Sequence, residues 1–271
     1  MGALYVVATP IGNMGDITFR AVEVLKEVDC ILCEDTRVTR KLIQRFGIQK
    51  PLRSHFAGNE EGRAAQVVQE LSEGRSMALV TDAGTPCISD PGYLLVRACR
   101  AEGIPVITIP GPSALSAGLS VCGLPTSRVL FLGFPPRRKS ERQRLLQSLR
   151  TDPATLVFYE APHRIRALLE DALALLPDRE CVVERELTKR FESVAVVTEA
   201  AAVPERGELV VIFGPPSGAA PNEEISKEDV ADHVARLIAE GVEEREALRR
   251  VARERKVSRR EVYRMVKVKE P

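Results

Sequence analysis

Short apolar runs rich in β-branched residues alternate with helix-length amphipathic segments through the first half of the chain. The runs lie at residues 4–9, 30–33, 77–81 and 104–109, and each ends in a turn rich in Gly, Pro or acidic residues. They are apolar at consecutive positions, so both of their faces are buried. That pattern, interleaved with helices, predicts a largely parallel sheet covered by helices. The spacing predicts a helix capped by Asp16 with Ile17, Val24, Leu25 and Val28 on one side, then helices through Leu42 and Ile43, over 61–73 and over 91–102. Pro110-Gly111-Pro112-Ser113-Ala114 opens another.

The pattern then restarts. Residues 129–132, 155–159, 181–184 and 208–213 read as strands, with helices over 140–150 and from His163 to Leu176. A Pro-, Gly- and Ala-rich stretch at 214–224 reads as a linker, and only helical patterns follow it. The expected organisation is an N-terminal α/β domain over 1–118, a second α/β domain over 119–216 and a helical extension over 222–271. Two domains of about 100–150 residues suit the length.

Charge is balanced overall, at +1, but not along the chain. Residues 222–244 carry two basic and eight acidic side chains, and residues 245–271 carry eleven basic and four acidic ones. A second basic cluster is Arg137-Arg138-Lys139 with Arg142 and Arg144. Such blocks on a near-neutral protein point to a polyanion, and nucleic acid is the expected one. With 44% hydrophobic residues the chain is too apolar for disorder, yet no run reaches the roughly 18–20 residues that span a bilayer. The N-terminus lacks the basic region of a signal peptide, and a cytoplasmic location is expected. Cys30 and Cys33 form a C-x-x-C pair inside a strand, where an offset of three points the thiols to opposite faces. They read as small buried hydrophobes rather than a zinc or redox pair. His55, His163 and His233 are scattered, so no metal site is expected.

In an open α/β sheet, ligands bind beyond the carboxyl ends of the strands. Four strand ends carry unusual loops: Thr9-Pro10-Ile11-Gly12-Asn13, Glu34-Asp35-Thr36-Arg37, Asp82-Ala83-Gly84-Thr85-Pro86 and Pro110-Gly111-Pro112-Ser113-Ala114. Gly and Pro there hold tight turns and let a ligand approach closely. All four come from the first half and are expected on one rim. The dinucleotide fingerprint and the phosphate-binding P-loop are absent, which argues against a nicotinamide enzyme or an NTPase. No G-x-S-x-G elbow is present, which disfavours an α/β-hydrolase.

The run from Leu4 to Asn13, Asp16-Ile17-Thr18, Glu34-Asp35-Thr36-Arg37, the run from Thr81 to Gly92, Tyr159-Glu160-Ala161-Pro162-His163-Arg164 and Arg185-Glu186-Leu187-Thr188-Lys189 resemble the bacterial small-subunit ribosomal RNA methyltransferase I family of the tetrapyrrole methylase superfamily. The likeness runs over about residues 3–213. It implies two α/β domains of tetrapyrrole-methylase type with a cofactor cleft between them, and S-adenosylmethionine as methyl donor. The implied product is a cytidine methylated on its ribose 2′-oxygen in the decoding region of 16S rRNA within the small ribosomal subunit. Pro10, Asp82, Gly84, Thr85, Ile88, Ser113, Ala114 and Glu160 are then the expected cofactor residues. A ribose hydroxyl is a weak nucleophile, so a base or a positioned cation helps it. Glu34 and Asp35 are the candidate bases: one is expected to face the substrate and the other to pair with Arg37. Lys189, oriented by Arg185 and Glu186, is expected to stabilise the developing alkoxide or hold phosphate. Arg37, His163, Arg164 and Arg185 are expected RNA contacts. One motif departs: His55-Phe56-Ala57-Gly58-Asn59-Glu60 has a single histidine where the family has two closely followed by Asn-Glu, and His55 is assigned no catalytic role.

The extension resembles the helix-turn-helix carried by many members. Ser226 is expected to begin a helix with Val230, Val234, Leu237 and Ile238 on one face, closed by Gly241. A second helix near 243–255 turns Ala247, Leu248, Val251 and Ala252 inward, and a break follows at Lys256-Val257. Ser258-Arg259-Arg260-Glu261 opens a third, with Val262, Met265 and Val266 inward. Arg259, Arg260, Arg264 and Lys267 are left outward, as RNA backbone contacts. The superfamily resemblance also implies a homodimer, and a donor bound without a metal. Two other readings share the pattern: carbon methylation on a tetrapyrrole, and a ribosome-assembly factor that kept the fold without catalysis. The basic clusters and the tail favour RNA over the first.

Overall fold

The computed structural model describes residues 2–56, 58, 60–217, 227–254 and 259–267. The chain forms two compact units, Met1–Ser217 and Gly218–Pro271.

The first sheet is built from β1 (Leu4–Val7), β2 (Cys30–Cys33), β3 (Leu52–Ser54), β4 (Met77–Val80) and β5 (Val106–Ile109), in the order β3-β2-β4-β1-β5. Every pairing is parallel. The connecting helices are α1 (Phe19–Glu27), α2 (Thr36–Arg45), α3 (Glu60–Ser72) and α4 (Tyr93–Ala101). Successive strand residues feed opposite layers: Cys30, Leu32, Met77 and Leu79 pack in one core, and Ile31, Cys33, Ala78 and Val80 in another. The two thiols therefore lie on opposite faces of the sheet. Asp16 does not cap α1 as the spacing suggests. It lies in a 3-10 turn, and Thr18 takes the cap position by accepting the Ala21 N–H at 3.1 Å.

α5 (Ala114–Val121) leaves the first sheet and packs on the second. That sheet comprises β6 (Val129–Phe131), β7 (Thr155–Glu160), β8 (Cys181–Arg185), β9 (Ser193–Val196) and β10 (Leu209–Phe213), ordered β6-β7-β10-β8-β9. Only β6 and β7 pair in parallel; the other three pairings are antiparallel. The parallel sheet expected from the alternation in the first half is found there, and the second sheet, expected only as α/β, is mostly antiparallel. α6 (Lys139–Ser148) and α7 (Ile165–Leu175) cover one face, and α5 covers the other. Under α5, Gly118 leaves room for the fully buried Glu184: a Cβ at Gly118 would sit 2.2 Å from Glu184 Oε2. Neither Glu184 oxygen has a hydrogen-bond partner among the described residues. Burial pushes its carboxyl up to about 7, with a small contribution from Glu192.

The second unit holds α8 (Lys227–Ala239), α9 (Glu244–Glu254) and α10 (Arg259–Lys267). Val230, Val234, Leu237, Ala247, Leu248, Val251, Ala252 and Val262 form their shared core. Ile238, read as inward from its spacing, is 43% exposed. It stands one position round the helix from the buried Leu237, beyond the stripe that faces α9 and α10. Arg259, Arg260 and Arg264 are exposed. Ser226, the Lys256-Val257 break, Ser258 and the side chains of Glu261, Met265 and Lys267 lie outside the described residues. No helix among the described residues is long and apolar enough to cross a membrane.

Candidate active site

The four loops picked out from the strand ends meet. Thr9 and Gly84 exchange backbone hydrogen bonds of 2.8 and 3.0 Å. Gly84 has φ +85°, a left-handed conformation that suits glycine, and a Cβ there would touch Ile11. Thr85 Oγ1 donates to the Pro112 carbonyl at 3.2 Å, tying the β4 loop to the β5 loop. The Asp35 N–H donates to Asp82 Oδ1 at 3.1 Å, tying it to the β2 loop.

Against this rim lies a cavity of about 360 Å³, walled by both sheets. From the first sheet come Ile11, the stretch Ala83-Gly84-Thr85, Ile88-Ser89-Asp90 and the start of α5 at Ser113 and Ala114. From the second come Phe134, the end of β7 at Tyr159-Glu160 with Ala161 and Pro162, Leu187, and Glu208-Leu209-Val210. Ser113 makes no side-chain cap bond, so the first turn of α5 presents backbone donors at the cavity. Tyr159 fixes one of them, its hydroxyl accepting the Leu115 N–H at 3.0 Å. Glu160 Oε2 is buried with no hydrogen-bond partner among the described residues. Its other oxygen lies 3.2 Å from Arg164 Nε. Burial raises the Glu160 carboxyl above its ordinary range, with the Ala161 N–H opposing.

Of the expected cofactor residues, Gly84, Thr85, Ile88, Ser113, Ala114 and Glu160 line the cavity. Pro10 is buried, and neither it nor Asp82 is in the lining. Burial raises the Asp82 carboxyl, partly offset by the Asp35 N–H. Glu34 and Asp35 part company at the end of β2. Asp35 caps α2 and holds Arg37 through a salt bridge of 2.5 Å, which keeps its carboxyl down at about 2. Glu34 Oε2 accepts from Thr81 Oγ1 at 3.2 Å. Thr81 also hydrogen-bonds Asp90, which burial pushes up to about 6, with Glu34 and Asp82 adding to the rise. A hydroxyl has one proton to give. Thr81 can serve Glu34 and Asp90 together when Asp90 is protonated and donates to it.

Lys189 lies across the cleft. Its stem packs over Gly12, where a Cβ would come within 2.1 Å of Lys189 Cε. Its Nζ bonds Glu186 at 3.0 Å and the cavity residue Glu208 at 2.8 Å. Burial works against the charge, but these carboxylates outweigh it and hold the ammonium above its ordinary value. Glu186 and Thr188 have φ of +54° and +66°, a strained turn that aims this loop. Thr188 Oγ1 hydrogen-bonds Asp16 on the first-sheet side. Of the expected RNA contacts, Arg37 and His163 are exposed and Arg185 is half-buried. Arg164 is tied to Glu160 and to the Pro135 carbonyl. Arg142 of the basic cluster is buried against Asp171 at 2.6 Å, so it belongs to the core and not to a charged surface. Among the described residues, no group of three or more His, Cys, Asp or Glu is placed to hold a metal ion.

Asp90 and Tyr159, quoted in the motifs but given no role, and Glu208, not singled out from the sequence, also line the cavity. Asp90 sits in the Ser-Asp-Pro-Gly turn, where Cys87 and Ser89 have φ of +71° and +65°. Non-glycine residues held in that region cluster at functional sites.

Two α/β layers joined by α5, with a cleft lined from both, define a two-sheet α/β fold with its site between the sheets. The solved cobalt precorrin-4 methyltransferase CbiF superposes with a TM-score of 0.59 at 16% identity, covering 78% of this chain and 94% of that one. Residues 3–203 match the family Tetrapyrrole (Corrin/Porphyrin) Methylases. A protein of Halalkalibacterium halodurans named Ribosomal RNA small subunit methyltransferase I is 43% identical, covering 97% of this chain and 93% of its own length. One of Synechocystis sp. with the same name is 44% identical, with 98% and 97% covered. The chain belongs to the ribosomal RNA small subunit methyltransferase I family of the tetrapyrrole methylases.

Proposed function

We propose that this protein uses S-adenosylmethionine to methylate the ribose 2′-oxygen of a cytidine in the decoding region of 16S rRNA, within the small ribosomal subunit. It acts in the cytoplasm as a homodimer, without a metal. The observation that carries the reading is the cavity itself, whose donors and acceptors suit the donor molecule. Beside the Leu115 N–H held by Tyr159, the first turn of α5 offers N–H groups for a carboxylate or hydroxyl. The unpartnered Glu160 Oε2 offers an acceptor to an amine or hydroxyl. Ile11, Ile88, Leu187 and Val210 supply apolar walls. The names of the full-length relatives point to rRNA as substrate.

S-adenosylmethionine, when bound, supplies an electrophilic methyl group. The residues expected to hold it are Gly84, Thr85, Ile88, Ser113, Ala114 and Glu160. Asp82 supports them through the rim. The apolar walls exclude water, so the ribose hydroxyl competes with little solvent. Glu34 is the stronger base candidate, because Asp35 is neutralised by Arg37 and committed to capping α2. Thr81 Oγ1 donates to Glu34 and so orients it beside Asp90 of the cavity wall. Lys189, one hydrogen bond from Glu208 in the lining, stabilises negative charge developing on the ribose oxygen. Arg37, His163 and Arg185 meet RNA around the cleft. Arg259, Arg260, Arg264 and Lys267 hold its backbone from the C-terminal unit.

Transfer of labelled methyl from S-adenosylmethionine to small ribosomal subunits lacking the modification tests this, with mapping of the modified nucleotide. Undiminished transfer in chelator is expected. No transfer to such subunits, with donor binding intact, overturns the substrate assignment.

A further inference from the structure

We infer that the loop at 133–139 is the RNA-positioning element of the cleft, with the Phe134 ring stacking on the target nucleobase and Arg137, Arg138 and Lys139 meeting adjacent phosphates. This rests on the rRNA substrate proposed above and assigns a residue to seat it.

Phe134 lines the cavity yet is 53% exposed. Its ring meets Tyr159 at 5.8 Å and 66°, an edge contact and not a stack, so aromatic surface stays open at the mouth. The loop beneath is braced. Gly133 turns it with φ +61°, and the Gly133 carbonyl accepts the Tyr159 N–H at 3.0 Å. Pro135 is buried, and its carbonyl accepts from Arg164 Nη2 at 2.5 Å. Arg164 also pairs with Glu160, so the same cation steadies the cavity wall and the loop. A half-exposed aromatic on a fixed loop is a stacking platform whose ordering cost is met before the ligand arrives.

The cations follow at once. Arg137, Arg138 and Lys139 are exposed, and Arg138 makes a long 3.3 Å contact with Glu141. Arg138 and Lys139 stand at the start of α6, where the helix dipole disfavours positive charge, so helix stability does not explain them. Arg142, the inward member of the cluster, anchors α6 through Asp171 and bonds the Arg137 carbonyl at 3.4 Å. At most about 10 Å of chain separates Phe134 from Arg137, so one nucleotide and its neighbours reach both. A stack tolerates any base and phosphate contacts carry no sequence, so this loop seats the nucleotide without choosing it.

The test uses the full chain and small subunits lacking the modification, with Phe134→Leu, Phe134→Tyr and the triple change Arg137→Gln, Arg138→Gln, Lys139→Gln. Subunit retention on filters across a salt series, donor affinity by calorimetry and methyl transfer are read together. Leucine fills the space but has no π face: Phe134→Leu is expected to lower kcat/KM about 5- to 150-fold, the range for losing one base stack. Phe134→Tyr restores most of it, and because Phe134 also lines the donor cavity, the loss in kcat/KM is expected to exceed any change in donor affinity. The triple variant is expected to bind subunits more weakly, with the slope of log K against log salt shallower by roughly 2. Phe134→Leu matching wild type, a loss traced wholly to donor affinity, or an unchanged salt slope overturns the assignment. A wild-type protein that binds subunits but transfers no methyl to them overturns the substrate reading instead, and the binding series still tests the loop.

Discussion

The backbone N–H of Asp35 donates to Asp82 Oδ1 at 3.1 Å, so the loops leaving β2 and β4 are locked by a carboxylate outside the cavity lining. Asp82 acts by holding the rim in register, with Glu34 on one side of the bond and Gly84 on the other.

Asp82→Ala is therefore expected to weaken donor binding and turnover together, each by roughly tenfold, the effect of one half-buried donor left unpaired. Asp35→Ala and Glu34→Ala are expected to lower turnover with donor affinity largely kept. Calorimetry and single-turnover kinetics separate the two. Equal loss of donor affinity in all three variants ends this division of roles.

Asp90 has its carboxyl pushed up to about 6 by burial, so it is protonated below that pH and ionised above it. A carboxylate in the wall favours a cationic donor. Donor affinity is expected to fall several-fold as pH drops from 7 to 5, and to change far less in Asp90→Asn. A pH profile by calorimetry checks this; identical profiles in the two proteins count against it.

Gly12 lies against the Lys189 stem. Gly12 also has φ +154°, which L side chains rarely adopt, so Gly12→Ala is expected to strain the loop as well as to displace the ammonium from Glu208. Turnover should fall as far as in Lys189→Ala, with a lower thermal midpoint. Wild-type turnover in Gly12→Ala would show that the position of Lys189 is immaterial.

Glu184 is raised from 4.5 to about 7, so the fold prefers its neutral form. Stability from this group is fully present below pH 4.5 and is lost as pH rises to about 7. Glu184→Gln removes that loss: it is expected to stabilise by up to about 3 kcal/mol at pH 8 and to be near neutral at pH 4.5. Denaturant unfolding at the two pH values measures the difference. An equal effect at both would mean the carboxyl does not titrate there.

In the C-terminal unit, Arg259, Arg260 and Arg264 are exposed on α10. Replacing all three by Gln is expected to weaken subunit binding and to flatten its salt dependence by roughly 2 in log–log slope. Donor affinity and the modified position should be unchanged. Tight binding across the whole salt series would make the unit a structural one.

Much of the fold was legible because the first sheet is buried on both faces. Ile31, Leu32, Ala78 and Leu79 all need burial, and a run apolar at every position has few alternatives to a covered parallel strand. β9 was not legible: Ser193–Val196 is exposed at every position, so no burial pattern marks it. β3 is three half-buried residues, Leu-Arg-Ser, too short to show a period. The antiparallel pairing of β10 with β7 and β8 was equally hidden. β10 itself is as uniformly apolar as the central strands of the first sheet, and composition does not record strand direction.

The sequence by itself determined the alternation of strands and helices, the four loops at strand ends, the helical tail and the family. These are local patterns, written in consecutive residues. Only the tertiary structure decided which side chains share an environment. It placed Asp90, Tyr159 and Glu208 in one cavity although 118 positions separate the first from the last. It turned Arg142 inward to Asp171, set Lys189 over Gly12 and left Glu184 without a partner beneath α5. Burial and charge pairing act through space, and chain folding, not sequence spacing, brings their partners together.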